Sequence, residues 1–271
     1  MDKVLFAILF AVSFFIPFSF PHALAIVSDV SADWSDVANP NGFWSYNDGL
    51  GALPTNNPNW VGLGNNAWSV SASGLGHIPS WGKWIVDPTV SGIDDMMIGD
   101  VFTHSWDTAN GIPGRAPSEL VWTSTSNGQV TVSGDVWLGR NIERAVNWEI
   151  LKNAASMTGG SLFDGDIYSR LSPFDISTGS GGAAVLQNIP VVAGDQIILR
   201  LVTTSSLGEF VGVSYSIDFS PESQPQPVGG EMLSIDSASL LLAGIQSTTW
   251  LIPVILSIVG IGVFVISKKS E

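Results

Sequence analysis

The chain of 271 residues contains no cysteine, and only 13% of its residues are charged. Without cysteine it has neither a disulfide framework nor a zinc–thiolate site. Basic residues are the scarcer kind: 10 lysines and arginines stand against 24 aspartates and glutamates, a formal net charge of −14. A nucleic-acid-binding protein needs clustered cations that neutralise phosphates. These shortages exclude a disulfide-stapled scaffold and predict no nucleic-acid partner.

Apolar residues are abundant by contrast, at 45% of the chain, and two long apolar runs account for much of them. The first, Val4 to Phe20, follows Lys3 and precedes the small residues Ala23-Leu24-Ala25. A basic start, an apolar run and a small-residue cleavage site are typical of a signal peptide. We predict a cleaved signal peptide over residues 1–25; an uncleaved N-terminal anchor is the alternative, and Pro17 argues against it.

The second apolar run extends from Leu240 to Ile266, which exceeds the roughly 20 residues that a membrane-spanning helix needs. We predict a transmembrane helix over residues 240–267, with membrane lipid as its partner. Lys268 and Lys269 follow at once, and positive residues stay on the cytoplasmic side. The prediction is therefore a single-pass cell-membrane protein with residues 268–271 in the cytoplasm and the main domain outside the cell.

A Pro-rich segment separates this run from the rest of the chain. Residues 220–239 begin with SPESQPQPVGG, in which prolines alternate with polar residues. Such composition favours an extended, semi-rigid spacer. Residues 26–219 remain as an exported domain that is large enough to bury one core.

The second half of this domain alternates between apolar and polar residues. Val211, Val213, Tyr215, Ile217 and Phe219 alternate with small or polar residues, which indicates a strand with one buried and one solvent-facing side. Residues 129–139, 145–153 and 195–206 show the same alternation between turn-forming clusters. We predict an all-β fold, a jelly-roll-like antiparallel β-sandwich. Short strands in GFWSY, AWSVS, WGKWIV and DVFTHSW are expected to complete the same sandwich.

Several motifs follow one another in an order that supports this prediction. They are NPNGFWSYNDG (39–49), DVFTHSW (100–106), ELVWTSTSNGQVTVSGDVW (119–137), SLFDGDIYS (161–169) and VVAGDQIILRL (191–201). The series resembles secreted jelly-roll domains of bacterial proteins with a PEP-CTERM sorting tail, although the family's His-Pro is His104-Ser105 here and its Pro-Glu-Pro motif is absent. The C-terminal run resembles the anchors of surface proteins from ammonia-oxidising archaea. The resemblance implies a jelly-roll fold similar in architecture to carbohydrate-binding ones.

The tryptophan-rich first half carries the best functional signal. Tryptophan faces stack on sugar rings, and exposed ones mark binding surfaces. We expect about half of these aromatic residues to be core and the others to line a groove for a glycan or another surface protein. The candidate binding residues are Trp44, Tyr46, Trp60, Trp81, Trp84, His104 and Trp106.

Acidic clusters suggest a cation site. Calcium takes several carboxylate and carbonyl oxygens, and Asp94, Asp95 and Asp100 offer three carboxylates in seven residues. We name these as candidate calcium ligands, with a solvated acidic surface as the alternative. The pair in Asp164-Gly165-Asp166 is better explained by a hairpin turn.

The motifs of catalysis are weak. No G-x-S-x-G elbow is present, and His77 or His104 is more typical of a structural histidine. A glycosidase needs two carboxylates about 5–10 Å apart, and the candidates are Glu119, Glu143, Glu149 and Glu209. We predict a non-enzymatic cell-surface protein that serves in binding or in envelope structure. The alternative is a surface-anchored polysaccharide hydrolase with paired carboxylates.

Overall fold

The computed structural model describes residues 25–222 of the chain. The predicted membrane helix and cytoplasmic tail lie outside this range, as do the predicted signal peptide up to residue 24 and the linker beyond residue 222. Within the described range, no helix has both the length and the apolar character needed to cross a bilayer.

Fifteen strands form in residues 25–222, connected by loops and four short 3₁₀ turns. In chain order they are β1 (Ile26–Asp29), β2 (Trp44–Asp48), β3 (Gly51–Ala52), β4 (Thr55–Asn57), β5 (Ala67–Ser69), β6 (Ser80–Lys83), β7 (Val101–His104), β8 (Ser118–Thr123), β9 (Gly128–Leu138), β10 (Ala145–Lys152), β11 (Ala155–Phe163), β12 (Phe174–Asp175), β13 (Ile189–Val191), β14 (Gln196–Thr203) and β15 (Phe210–Pro221). The four strands expected in the first half are present as β2, β5, β6 and β7.

These strands make two sheets in which all pairs are antiparallel. Sheet A has nine strands in the order β12-β9-β15-β7-β6-β5-β4, with β1 beside β15 and β13 beside β9. Sheet B has six, in the order β11-β10-β14-β8-β2-β3. Strands from the Trp-rich first half lie in both sheets. The prediction of an all-β, antiparallel sandwich is confirmed at this level.

The main core lies between the sheets and follows the alternation in the sequence. On β10, Val146, Trp148 and Ile150 face inward, while on β14 the inward residues are those at 197, 199 and 201. All six are buried in one continuous cluster with inward residues of β9 and β15. The period of two therefore predicts the inner faces correctly.

The outer face of sheet A departs from the predicted pattern. Gly212, expected on the solvent side of β15, is buried because the Trp137 ring lies over it; a Cβ at 212 would stand 2.1 Å from that ring. A second group of apolar side chains, here called the outer layer, covers this face. Its buried members are Trp60, Ala67, Ile78, Trp84, Ile93, Met96, Phe102 and Phe210. The expectation of one solvent-facing side is thus wrong for the first part of β15.

The outer face of sheet B keeps the expected polar character. Strand register aligns Glu119 on β8 with Arg200 on β14 and then with Glu149 on β10. Arg200 Nε donates to Glu119 Oε1 at 2.8 Å. A small apolar cluster, Val121, Leu151 and Ile198, lies beside this polar row.

Candidate functional site

Three of the predicted binding aromatics belong to the main core. Trp44, Tyr46 and Trp81 are at most 1% exposed. Trp44 and Tyr46 occupy the inward positions of β2, and Trp81 is inward on β6, so their large apolar surfaces are removed from water. The expectation that these side chains form an exposed stacking face is therefore corrected.

The remaining aromatics lie on or near the outer face of sheet A. Trp60 and Trp84 are buried members of the outer layer, and the Trp84 ring stacks on Phe102 at 4.4 Å between centroids. Trp106 is part-buried and donates its Nε1–H to the Ile112 carbonyl at 2.9 Å. Trp60 and Trp84 therefore offer no open ring face, which corrects the prediction for them as well.

Two of the predicted residues, Trp60 and His104, nevertheless meet at a pocket of about 280 Å³. We call it the arginine pocket, because Arg140 and Arg144 both line it. The connections β9–β10 and β14–β15, the end of β7 and the 3₁₀ turn Trp60–Gly62 form its walls. His77, Leu63, Leu207 and Phe210 are among its other lining residues.

The two histidines of the pocket wall each face a backbone carbonyl. His104 Nδ1 is 3.1 Å from the Ser105 carbonyl, and His77 Nδ1 is 2.5 Å from the Gly74 carbonyl. A carbonyl only accepts, so Nδ1 carries a proton in both rings. In a neutral ring, the other nitrogen, Nε2, is then the hydrogen-bond acceptor.

Burial keeps His104 uncharged. Loss of water around the ring lowers the pKa of His104 to about 3, and the nearby charges of Arg140, His77 and Arg144 act in the same direction. The contact with the Ser105 carbonyl opposes this shift only in part. The imidazole is thus a neutral acceptor at physiological pH.

A fully buried carboxylate orients Arg140 and lies close to Arg144. Glu209 is 0% exposed, and its Oε1 accepts from Arg140 Nε at 3.0 Å and from the Phe210 backbone N–H at 2.6 Å. Its Oε2 lies 3.9 Å from Arg144 and has no hydrogen-bond partner among the described residues. Burial raises the pKa of Glu209, although Arg140 acts against it. The Arg140 guanidinium also lies 5.0 Å above the Phe210 ring.

The wall of the pocket contains a strained residue. Val61 lies in the left-handed region with φ 47° and ψ 24°. This conformation is unfavourable for a β-branched side chain and costs on the order of 1–3 kcal/mol. Such a conformation persists only where the surrounding structure maintains it, and strained residues of this kind are concentrated at ligand sites.

A larger pocket of about 490 Å³ adjoins this one and shares Arg140. Its lining includes Asp94, Asp95, Phe163 and Ile167, and the side chains of Phe163 and Ile167 are exposed. We favour the arginine pocket as the functional site because the buried, perturbed His104 lines it and the buried Glu209 lies behind its arginines, and such groups concentrate at functional sites.

The candidate calcium ligands do not form a ligand set. Asp100 makes a two-pronged ion pair with Arg170, with Nε to Oδ2 at 2.7 Å and Nη2 to Oδ1 at 3.0 Å. Asp95 Oδ2 accepts the Arg170 backbone N–H at 2.8 Å. In residues 25–222, no group of three histidine or acidic side chains is arranged to hold a metal ion. The Arg170 guanidinium supplies the positive charge that the cluster was expected to take from calcium.

The candidate carboxylates are dispersed. Glu119 and Glu149 flank Arg200, which is 2.8 Å from the first and 3.8 Å from the second. Glu143 lies in the connection between β9 and β10, and Glu209 is buried behind Arg140. Glu119 and Glu149 are therefore the pair that sheet register brings closest to the arrangement that a hydrolase needs.

Comparisons with models of protein families, with curated proteins and with solved structures found no match. The fold and the pocket are therefore the basis for the function proposed below.

Sequence reasoning missed the central groups of the pocket. It assigned no role to Arg140 or Arg144, and it considered Glu209 only as a hydrolase candidate. Arg140 and Glu209 are 69 positions apart and meet only through the pairing of β9 with β15. The available signal was the scarcity of arginine: two of the five in the chain lie within five residues.

Proposed function

We propose that the chain is a non-enzymatic cell-surface protein, anchored in the membrane by residues 240–267, that displays a jelly-roll-like β-sandwich outside the cell and binds a glycan in the arginine pocket. The location is supported by the basic, apolar and small-residue series at the N terminus. The location is supported equally by the C-terminal apolar run, which is followed by Lys268 and Lys269.

The observation that carries the binding role is the mixed chemistry of the pocket wall. Sugar hydroxyls donate and accept hydrogen bonds, so a sugar site needs both kinds of partner. The neutral His104 ring offers an acceptor nitrogen, while Arg140 and Arg144 offer donors. Apolar side chains such as Leu63 complete the wall. A concave site with a few convergent polar groups among apolar ones is typical of small-ligand binding.

A hydrolase remains the alternative function, on one observation: Glu119 and Glu149 lie in register across β14 on an outer sheet face. The Arg200 guanidinium lies between them, in the space that a scissile bond and a water molecule would need. This arrangement favours binding over hydrolysis.

Two tryptophan substitutions separate these functions. Full-length protein in detergent is applied to a glycan array as the natural chain, as Leu207→Trp and as Val202→Trp. Leu207 lines the arginine pocket and is 38% exposed; Val202 is 42% exposed on sheet B, beside Glu149. We expect Leu207→Trp to abolish glycan binding because its ring fills the pocket, and Val202→Trp to bind normally.

The reverse result would move the site to sheet B and favour the hydrolase, for which release of reducing ends from bound glycans is the assay. A blank array with self-association of the chain would favour an envelope-structure role instead. The location is tested with protease added to intact cells, which should remove the β-sandwich from the full-length chain. A protected domain would refute surface display.

A further inference from the structure

The arginine pocket has a feature that neutral-sugar binding does not require: two guanidinium groups at its wall. Arg140 and Arg144 side chains are each 20% exposed, so they remain accessible from the pocket. Within the described residues, Arg140 uses its Nε for Glu209, and Arg144 uses one terminal nitrogen for the Gly208 carbonyl. The other N–H groups of both guanidiniums are free of protein acceptors in that part of the chain.

The lining of the pocket carries two guanidiniums and one carboxylate, that of Asp107, and the second carboxylate, Glu209, lies behind Arg140. Glu209 compensates the arginines from behind, and it is 0% exposed. Asp107, the acidic residue on the wall, has both carboxylate oxygens engaged: Oδ1 accepts the N–H groups of Ala109 and Asn110, and Oδ2 that of Gly208, each at 2.8 Å. Burial disfavours its charge, but these bonds outweigh burial and lower the pKa of Asp107.

Arg140 is held in place before any ligand arrives. Glu209 Oε1 binds Arg140 Nε at 3.0 Å, and the Phe210 ring supports the guanidinium at 5.0 Å. Removing a carboxylate from water is costly, and a buried ion pair is often no more stable than apolar residues of the same volume. The buried glutamate is explained by the orientation that it imposes on Arg140, whose guanidinium lines the pocket.

From this geometry we infer that the pocket recognises an acidic sugar residue, with the sugar carboxylate bound by Arg140 and Arg144 and a hydroxyl bound by the His104 imidazole. The inference rests on the proposed function. Arginine binds carboxylates through two parallel N–H···O bonds, and these charge-assisted bonds are stronger than neutral ones. The neutral His104 ring, with its proton on Nδ1, accepts from a hydroxyl of the same sugar through Nε2, and His77 lines the pocket beside it.

The test compares acidic oligosaccharides with their methyl esters. Oligogalacturonate, oligoglucuronate and oligomannuronate are titrated calorimetrically into the full-length chain in detergent, each beside its methyl ester, which keeps the shape and removes the charge. We expect at least one acid to bind about tenfold or more tightly than its ester. Rising salt should reduce that difference, because part of it is electrostatic. Glycolate is the competitor that carries a carboxylate without a sugar ring.

A matched pair of variants assigns the effect to the pocket. Arg144→Gln should weaken binding of the acid about tenfold and leave binding of the ester unchanged. Lys152→Gln removes the same charge at the far end of β10, where Lys152 pairs with Asp195, and should change neither. The affinity of Arg144→Lys for the acid should lie between those of the natural chain and Arg144→Gln, because lysine keeps the charge and loses the two-pronged geometry. Equal melting temperatures of the variants exclude misfolding as the cause.

The outcomes are distinct. Equal affinity for acid and ester, or binding confined to neutral glycans, overturns the acidic-sugar inference and leaves glycan binding standing. Competition by glycolate at the same concentration as the acid overturns it too, because the sugar ring then contributes nothing. Absence of binding to every glycan on the array overturns both proposals.

Discussion

The two outer faces of the sandwich place the same chemical pair, an arginine and a glutamate, in different surroundings. On sheet A, Arg140 meets Glu209 next to the outer layer, where the carboxylate is fully buried. On sheet B, Arg200 meets Glu119 with both side chains reaching solvent. Water and salt screen the second pair, whereas the first is screened much less. Because loops cover this part of sheet A, the Arg140–Glu209 ion pair is buried and fixes the position of a guanidinium that lines a pocket.

The largest effect should come from breaking the buried pair. Arg140→Met removes the cation that is hydrogen-bonded to Glu209 and leaves the more distant Arg144, and removal of one partner from a buried pair costs about 3–5 kcal/mol. Arg200→Met removes a partly exposed pair on sheet B and should cost about 0–1 kcal/mol. Urea unfolding of the full-length chain, followed by tryptophan fluorescence, measures both. Similar losses for the two variants would contradict the difference between the faces.

Burial of His104 on the outer face of sheet A predicts that the stability of the protein depends on pH. In the unfolded chain the His104 ring takes up a proton near pH 6.5, whereas in the folded protein its pKa is about 3. The unfolded state binds more protons between these values, so the free energy of unfolding should fall as the pH decreases from 6.5. The slope should reach up to about 1.4 kcal/mol per pH unit.

Glu209 acts in the opposite direction. Its folded pKa is raised, so it lowers stability as the pH increases from its ordinary value through the folded one. We therefore compare the slope between pH 4.5, the ordinary pKa of a glutamate, and pH 6.5 in the natural chain, in His104→Gln and in Glu209→Gln. The slope should flatten in His104→Gln and steepen in Glu209→Gln. The slope is the readout, so a variant with lower overall stability is still informative. An unchanged slope in His104→Gln would disprove burial as the cause.

The smallest effect is expected from a substitution beneath Trp137, on the outer face of sheet A. Gly212→Ala places a Cβ against the Trp137 ring, and overpacking of this kind costs about 1–3 kcal/mol. Ser214→Ala, two residues along the same strand and on the same side, is exposed and should change stability by less than about 0.5 kcal/mol. Thermal unfolding of the two variants checks this. Equal stability would mean that the outer face of β15 is open at both positions.

Sheet B was the more predictable half of the molecule. From Ala145 to Ile150, β10 alternates as predicted, with Trp148 and Ile150 buried in the core, and only the following Leu151 departs from the pattern. On sheet A, His104 and Phe210 face outward and are buried all the same. Alternation of apolar and polar residues identifies the buried face of a strand that packs on one side only. The strands of sheet A pack on both sides, so the alternation did not predict the outer layer.

The candidate site was predictable only in part. His104 and Trp60 were found because aromatic and imidazole side chains are conspicuous in a loop-rich segment. Arg144 and Glu209 were not recognised as partners, because no spacing in the sequence relates residues that approach through strand pairing. Trp44 and Tyr46 were among the candidate binding residues, about half of which were expected to be core, and both take inward positions on β2.

The order of apolar and polar residues was sufficient to determine the all-β class, the positions of the main strands and the residues that face the core between the sheets. These properties are local, since side chains alternate along any extended strand. Only the tertiary structure decided which outer face would be covered, and hence that two arginines, a buried glutamate and a neutral histidine would share one pocket. Burial and electrostatic environment depend on distant segments packing together, and that information is not carried by any single stretch of the chain.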